Sequence, residues 1–112
     1  MDKLEEYRQL IRRILAEYAS YPYSNSTAKK ATVFDAEADR YLLIAFGREA
    51  DHRRVHGCIA HVEVIDGKIW IQYDGTEYGI ANELLDAGVP KDEIVLGFKS
   101  PELRKYTEFA AA

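Results

Sequence analysis

The chain has 112 residues, a net charge of −4 and a single cysteine. A domain of that size can bury roughly two thirds of its unfolded surface without staples, and the lone Cys58 excludes an internal disulfide framework and suits a reducing cytosol. A pI near 5.4 works against the phosphate attraction that strong duplex binding needs, and the basic pairs Arg12-Arg13, Lys29-Lys30 and Arg53-Arg54 form no stripe.

No apolar run approaches the roughly 20 residues of a membrane span. The start is charged from Asp2 onward, unlike a signal peptide. The expected location is the cytoplasm, and the expected organisation is a single domain over residues 1–112.

Residues 2–19 predict an amphipathic helix. Leu4, Tyr7, Ile11, Ile14 and Tyr18 recur at helical spacing, with Leu10 and Leu15 widening the stripe. Acids near its start (Asp2, Glu5, Glu6) suit the helix dipole. The spacing also fits a heptad seam, but two heptads are short for a coiled coil, so packing on the chain's own sheet is favoured. SYPYSNSTAKK, residues 20–30, is an irregular connector: Pro22 disfavours helix at Tyr21, and Ser, Asn and Thr favour turns.

Strands are expected at residues 32–35 and 40–46, flanking the turn AEAD. RYLLIAF is nearly all apolar, which predicts a strand covered on both faces. A longer hairpin spans about residues 54–73 and turns at Asp66-Gly67, where Asp-Gly tolerates the positive φ of a type I′ turn. Counting outward pairs Ile65 with Lys68, Val64 with Ile69, Glu63 with Trp70, Val62 with Ile71 and His61 with Gln72. Alternation then assigns Cys58, Ala60, Val62, Val64, Ile69, Ile71 and Tyr73 to the core. The opposite face carries Ile59, His61, Glu63, Trp70 and Gln72.

Asp74-Gly75-Thr76-Glu77 predicts a helix start, with Asp74 as cap and Glu77 closing a capping box. Ile80, Ala81, Leu84 and Leu85 supply the buried stripe, and Gly88 followed by Pro90 predicts a left-handed helix end. KDEIVLGF, residues 91–98, predicts a turn and an extended apolar segment. Ser100-Pro101 predicts another helix start, and Tyr106 and Phe109 are expected to dock the tail onto the core. The fold class is α+β: an N-terminal helix, a four-stranded antiparallel meander, a following helix and a packed C-terminal tail.

In order along the chain, MDKLEEYRQLIRRILAEYA, DRYLLIAFG, RRVHGCIAHVEVIDGKIWIQ, DGTEYGIANELLDAGVPKDEIVLGF and SPELRKYTEFA resemble the XisI family, the fdxN element excision controlling factors of cyanobacteria. Several blocks in one order over essentially the whole length make the resemblance specific. Arg48 and Tyr73 depart from the family pattern. The resemblance implies a small α+β protein that acts beside a second factor, XisH, to control excision of a DNA element by a site-specific recombinase in heterocyst development. It implies no catalytic residue set and no cofactor.

His52, His56, Cys58 and His61 lie within ten residues, but tetrahedral zinc needs four converging ligands and the strand phasing sends His61 away from the others. Cys58 is expected to be a small buried apolar residue. A nucleophilic Cys58 would need His56, which sits roughly 7 Å along the strand. Asp74 and Glu77 could be catalytic carboxylates, yet capping explains both, and neither Lys68 nor Lys91 stands in the right relation to them.

The favoured site is therefore a docking face of His61, Glu63, Trp70 and Gln72, with Trp70 as an interface anchor and Arg53 and Arg54 facing an acidic partner. The competing arrangement is a terminal helix covering Trp70 as core. The expected function is a non-enzymatic accessory factor that works through an XisH-like partner, with homo-oligomers also expected. A direct DNA-binding module and a small nuclease-like enzyme subunit are the alternatives.

Overall fold

The computed structural model describes residues 2–22 and 27–112. Helix α1, Lys3–Ser20, opens the fold, and the Asp2 carboxylate caps it by accepting the Glu5 N–H at 2.8 Å. Strands β1 (Lys29–Asp35), β2 (Arg40–Arg48), β3 (Arg54–Ile65) and β4 (Lys68–Asp74) follow as an antiparallel meander. Helix α2 (Ile80–Asp86) and a 3₁₀ turn (Lys91–Glu93) return the chain to a fifth strand, β5 (Ile94–Leu96), which pairs parallel to β4. A one-turn helix, α3 (Pro101–Arg104), precedes the tail. The sheet order is β1-β2-β3-β4-β5.

The expected four strands are thus five. The apolar segment at residues 94–96 is the added one, and its three residues are too few for a period of two to register. Among the described residues, no helix is long and apolar enough to cross a membrane.

The core lies between one face of the sheet and the two longer helices. Tyr7, Ile11, Ile14 and Leu15 of α1, with Ile80 and Leu84 of α2, meet Tyr41, Leu43, Ala60, Val62, Ile69, Ile71 and Ile94. Helix α2 ends as expected. Gly88 takes φ +97°, its N–H donates to the Leu85 carbonyl, and the Val89 N–H donates to that of Leu84. These two bonds satisfy carbonyls the helix leaves open. In the tail Phe109 packs against the core, but Tyr106 is 80% exposed and does not dock.

The hairpin at Asp66-Gly67 has positive φ at both residues, and its first four pairs fall as counted from the turn. The fifth does not: His61 pairs with Tyr73, leaving Gln72 as a bulge. A second bulge leaves Ile59 unpaired between Leu43↔Ala60 and Ile44↔Cys58. Each bulge reverses the alternation beyond it. Cys58 and Tyr73, assigned above to the core, are consequently exposed, whereas Ile59 packs against the core. Strand β2 is also covered on one side only, with Tyr41, Leu43 and Ala45 buried and Leu42, Ile44 and Phe46 half-buried on the other.

The β1–β2 turn is tied to α1 by charge. Arg8 donates from Nε and Nη2 to the two Asp39 oxygens at 2.8 and 3.1 Å, and the Tyr41 hydroxyl donates to Asp39 Oδ1 at 2.8 Å. Burial pushes the Asp39 carboxyl up, but the Arg8 and Tyr41 hydrogen bonds outweigh it and hold the group below the ordinary aspartate value. A carboxylate whose folded value is depressed stabilises the fold above its unfolded pKa and loses that contribution as pH falls through the folded one. Asp39→Asn should therefore lower the urea midpoint at neutral pH, and the gap to the parent protein should close below about pH 4. Urea titrations at several pH values check both limbs.

Candidate functional site: the outer face of the sheet

The face opposite α1 and α2 is built from alternate residues of neighbouring strands. One row runs through Arg40, Glu63, Trp70 and Val95, and the next through Val33, Leu42, His61 and Tyr73. Glu63 is the polar centre. Its Oε1 accepts from Arg40 Nε of β2 at 3.0 Å, and its Oε2 accepts from Gln72 Nε2 of β4 at 3.2 Å. His61 Nε2 lies 3.3 Å from the same Oε2. That spacing permits an ion pair if the imidazole is protonated, yet the geometry is off-line for a hydrogen bond, and the nitrogen is sealed from solvent without a bonded partner. The Glu63 side chain is 13% exposed.

The bulge at Gln72 makes this cluster possible. Its side chain lies over Gly97, where a Cβ would come within 2.6 Å of Gln72 Oε1 and 3.2 Å of the Ile71 carbonyl. Any larger residue at 97 would push the amide off Glu63. Trp70, opposite Glu63 across the β3–β4 pair, is half-buried, with the Arg104 guanidinium of α3 5.0 Å from its ring centroid. Arg104 is fixed in turn by donating Nε to the Lys99 carbonyl at 2.9 Å. The covering group is thus one cation on a ring face, neither open solvent nor an apolar helix stripe.

Of the six residues singled out from sequence, His61, Glu63, Trp70 and Gln72 stand together. Arg54 begins β3, nine positions or roughly 30 Å from Glu63, and Arg53 precedes it. Both are exposed, and neither is ion-paired among the described residues; Asp51 spends Oδ1 on the Arg53 backbone N–H instead. Arg54 lies directly across from Arg48, a like-charge pair that disfavours the sheet on its own. Sequence counting missed Arg40 and Arg104, which have no periodic signal toward the site. It also missed Tyr73, 51% exposed, and the apolar stripe of Val33, Leu42, Ile44 and Phe46 beside the cluster.

The bulge at Ile59 brings His56, Cys58 and His61 to one face, contrary to the counted phasing. Even so, no group of three His, Cys, Asp or Glu among the described residues could hold a metal ion. Cys58 donates its thiol to the Ala60 carbonyl at 3.2 Å, and desolvation of the sulfur raises its pKa, the opposite of nucleophile activation. Asp74 accepts from the Thr76 N–H and hydroxyl and, at 2.7 Å, from the Ile80 N–H. Asp74 thus receives the first N–H of α2, but the N-cap residue is Gly79, without a side-chain cap; the capping box expected at Asp74 and Glu77 does not form, and Glu77 is exposed. Lys68 and Lys91 are engaged elsewhere, with the Ala112 carbonyl and with Glu108.

The profile of the family described as XisI protein matches residues 1–111. A crystal structure of a XisI-like protein from Anabaena variabilis ATCC 29413 superposes with a TM-score of 0.89 at 34% identity, covering 98% of this chain and 100% of that one. The crystal structure of the fdxN element excision controlling factor XisI from the same organism gives 0.81 at 37% identity, covering 99% and 100%. No protein with a curated description matches the chain.

Two measurements check the geometry of this face. Cys58 should react with one equivalent of a maleimide in the folded protein without denaturant. Arg104→Ala should increase acrylamide quenching of the single tryptophan and cost about 0.5–1 kcal/mol of stability; unchanged quenching would mean that Arg104 does not shield the ring.

Proposed function

Because the chain belongs to the XisI family, we propose that it is a non-enzymatic factor controlling excision of a DNA element, and that it acts by docking a protein partner of the XisH type on its outer sheet face. The observation that carries this reading is the organisation of that face. Arg40, Gln72 and His61 are pre-positioned around the Glu63 carboxylate, a half-shielded tryptophan stands beside them, and an apolar stripe continues across Leu42 and Ile44. Aromatic and arginine anchors set among ordered polar neighbours are the usual make-up of a binding hot spot. The like-charged Arg48–Arg54 pair with Arg53 supports an acidic patch on the partner at the other end of the sheet.

A nuclease-like role has little to build on, since Asp74 is fully used at a helix start and stands with no lysine. A direct DNA-binding role would rest on the same three arginines, in a chain of net charge −4.

The decisive experiment is co-purification with an XisH-like protein from the same organism. A complex should form at micromolar concentration. Trp70→Ala should weaken it by about thirtyfold, on the order of 2 kcal/mol, while Glu17→Ala on the opposite side should leave it unchanged. Absence of a complex, together with excision that survives deletion of the gene, would overturn the reading. A gel shift with the element's ends that falls steeply with salt would move the function to DNA itself.

A further inference from the structure

The two edges of the sheet are finished differently. At β5 the Ala110 N–H donates to the Ile94 carbonyl at 2.9 Å, and Ala110 bridges parallel to Val95, so the tail closes that edge. At the other edge the sheet order ends on β1, which among the described residues is paired with β2 alone. An open edge is ordinarily blunted by a proline, a bulge or an inward charge, because its free backbone groups template another strand. Strand β1 carries such charges at its start, where Lys29 stands on the outer face and Lys30 turns inward to donate to the Tyr18 carbonyl, and has none of these devices between residues 31 and 34. It is seven residues long and pairs with β2 without a register shift, and Val33 is 46% exposed.

The charges of KKATVFD are arranged by sign along the strand. Lys29 and Asp35 stand at opposite ends on the same outer face, opposite Phe46 and Arg40 respectively. A second copy laid antiparallel about Thr32 would set Lys29 of each chain against Asp35 of the other, twice, with Ala31 against Val33 between them. Parallel pairing would instead set Lys29 on Lys29 and Asp35 on Asp35, which is unfavourable. Asp35 spends Oδ1 on the Glu37 and Ala38 N–H groups, so its carboxylate is held in place at the strand end.

We propose that β1 is a homodimerisation edge, with two copies pairing antiparallel about Thr32 through a two-fold interface into one continuous ten-stranded sheet. The closure is isologous, so each β1 is consumed and no filament can grow from it. Ten strands is within the size an open twisted sheet tolerates. The dimer joins the two outer faces through the Val33 and Leu42 row, so each assembly presents two copies of the Trp70 cluster. This holds whichever partner that cluster binds.

Sedimentation equilibrium over a micromolar concentration series tests the proposal. The parent protein should be a dimer in reversible equilibrium. Lys29→Asp and Asp35→Lys should each weaken it by about tenfold or more through like-charge contacts. Mixing these two variants in equal amounts should restore dimers, because each introduced charge then faces its opposite. Asp35→Lys also removes a turn acceptor, so Val33→Lys, at an exposed position outside the turn, is the second probe and should give monomers with an unchanged melting temperature. A monomeric parent protein, a dimer unmoved by Lys29→Asp and Val33→Lys, or two folded charge variants whose mixture stays monomeric would each overturn it.

Discussion

The arrangement of this protein turns on a single backbone contact, the Gly75 N–H donating to the Ile59 carbonyl at 2.7 Å. Ile59 is the residue β3 leaves unpaired against β2, and the contact gives its carbonyl the partner that the ladder withholds. It also ties the exit of β4 to the middle of β3, next to the point where β4 bulges at Gln72. Glycine is required there, because a Cβ at position 75 would come within 2.9 Å of the Ile59 oxygen. The two bulges are therefore one device, which re-phases both strands at the same level of the sheet.

The re-phasing decides what each face can do. With strict alternation, Cys58 and Tyr73 would fill core volume and Gln72 would face His61. With the bulges, Ile59 goes to the core, Tyr73 joins the outer face, and the amide of Gln72 reaches Glu63 across Gly97. Glu63 then bridges three strands, through Arg40 on β2, its own position on β3 and Gln72 on β4. A half-buried carboxylate satisfied in this way is rigid, and rigidity before binding removes part of the ordering cost that a flexible polar surface must meet.

The residues most legible in the sequence were those governed by local chemistry. The Asp66-Gly67 turn, the Gly88 helix end and the Ser100-Pro101 start all follow from side chains or φ angles within a few positions. The core face near the hairpin turn was legible for the same reason, since four pairs separate Asp66 from the first bulge. Beyond that point legibility fails, because the bulges are stabilised by a bond between residues 59 and 75, and no local pattern reports it. Gly75 was visible, but as part of a helix start, not as a site of close backbone approach. Strand β5 and the Arg104–Trp70 contact were hidden by the same non-local logic: three residues have no period, and a cation 34 positions from a ring has no spacing rule.

The spending of acidic groups bears on what the chain does. A carboxyl that serves as a general acid needs its pKa raised by burial or by a like charge. Here the carboxylates beside the sheet are matched to structural donors instead. Asp39 faces Arg8 and Tyr41, Glu63 faces Arg40 and Gln72, Asp74 faces the start of α2, and Glu93 faces Lys3 and Tyr7. Where an acid's pKa moves among the described residues, it moves down: the Arg8 and Tyr41 hydrogen bonds outweigh burial at Asp39, and the hydrogen bond and charge of Lys91 lower the exposed Glu108. In both cases the shift favours the anionic form that the ion pair needs. Among the described residues Arg53 and Arg54, at one end of the sheet, have no acidic partner. The outer face is thereby left with an ordered carboxylate, a half-buried tryptophan and, about 30 Å along the sheet, two exposed arginines, and these are the features that the proposed docking reading draws on.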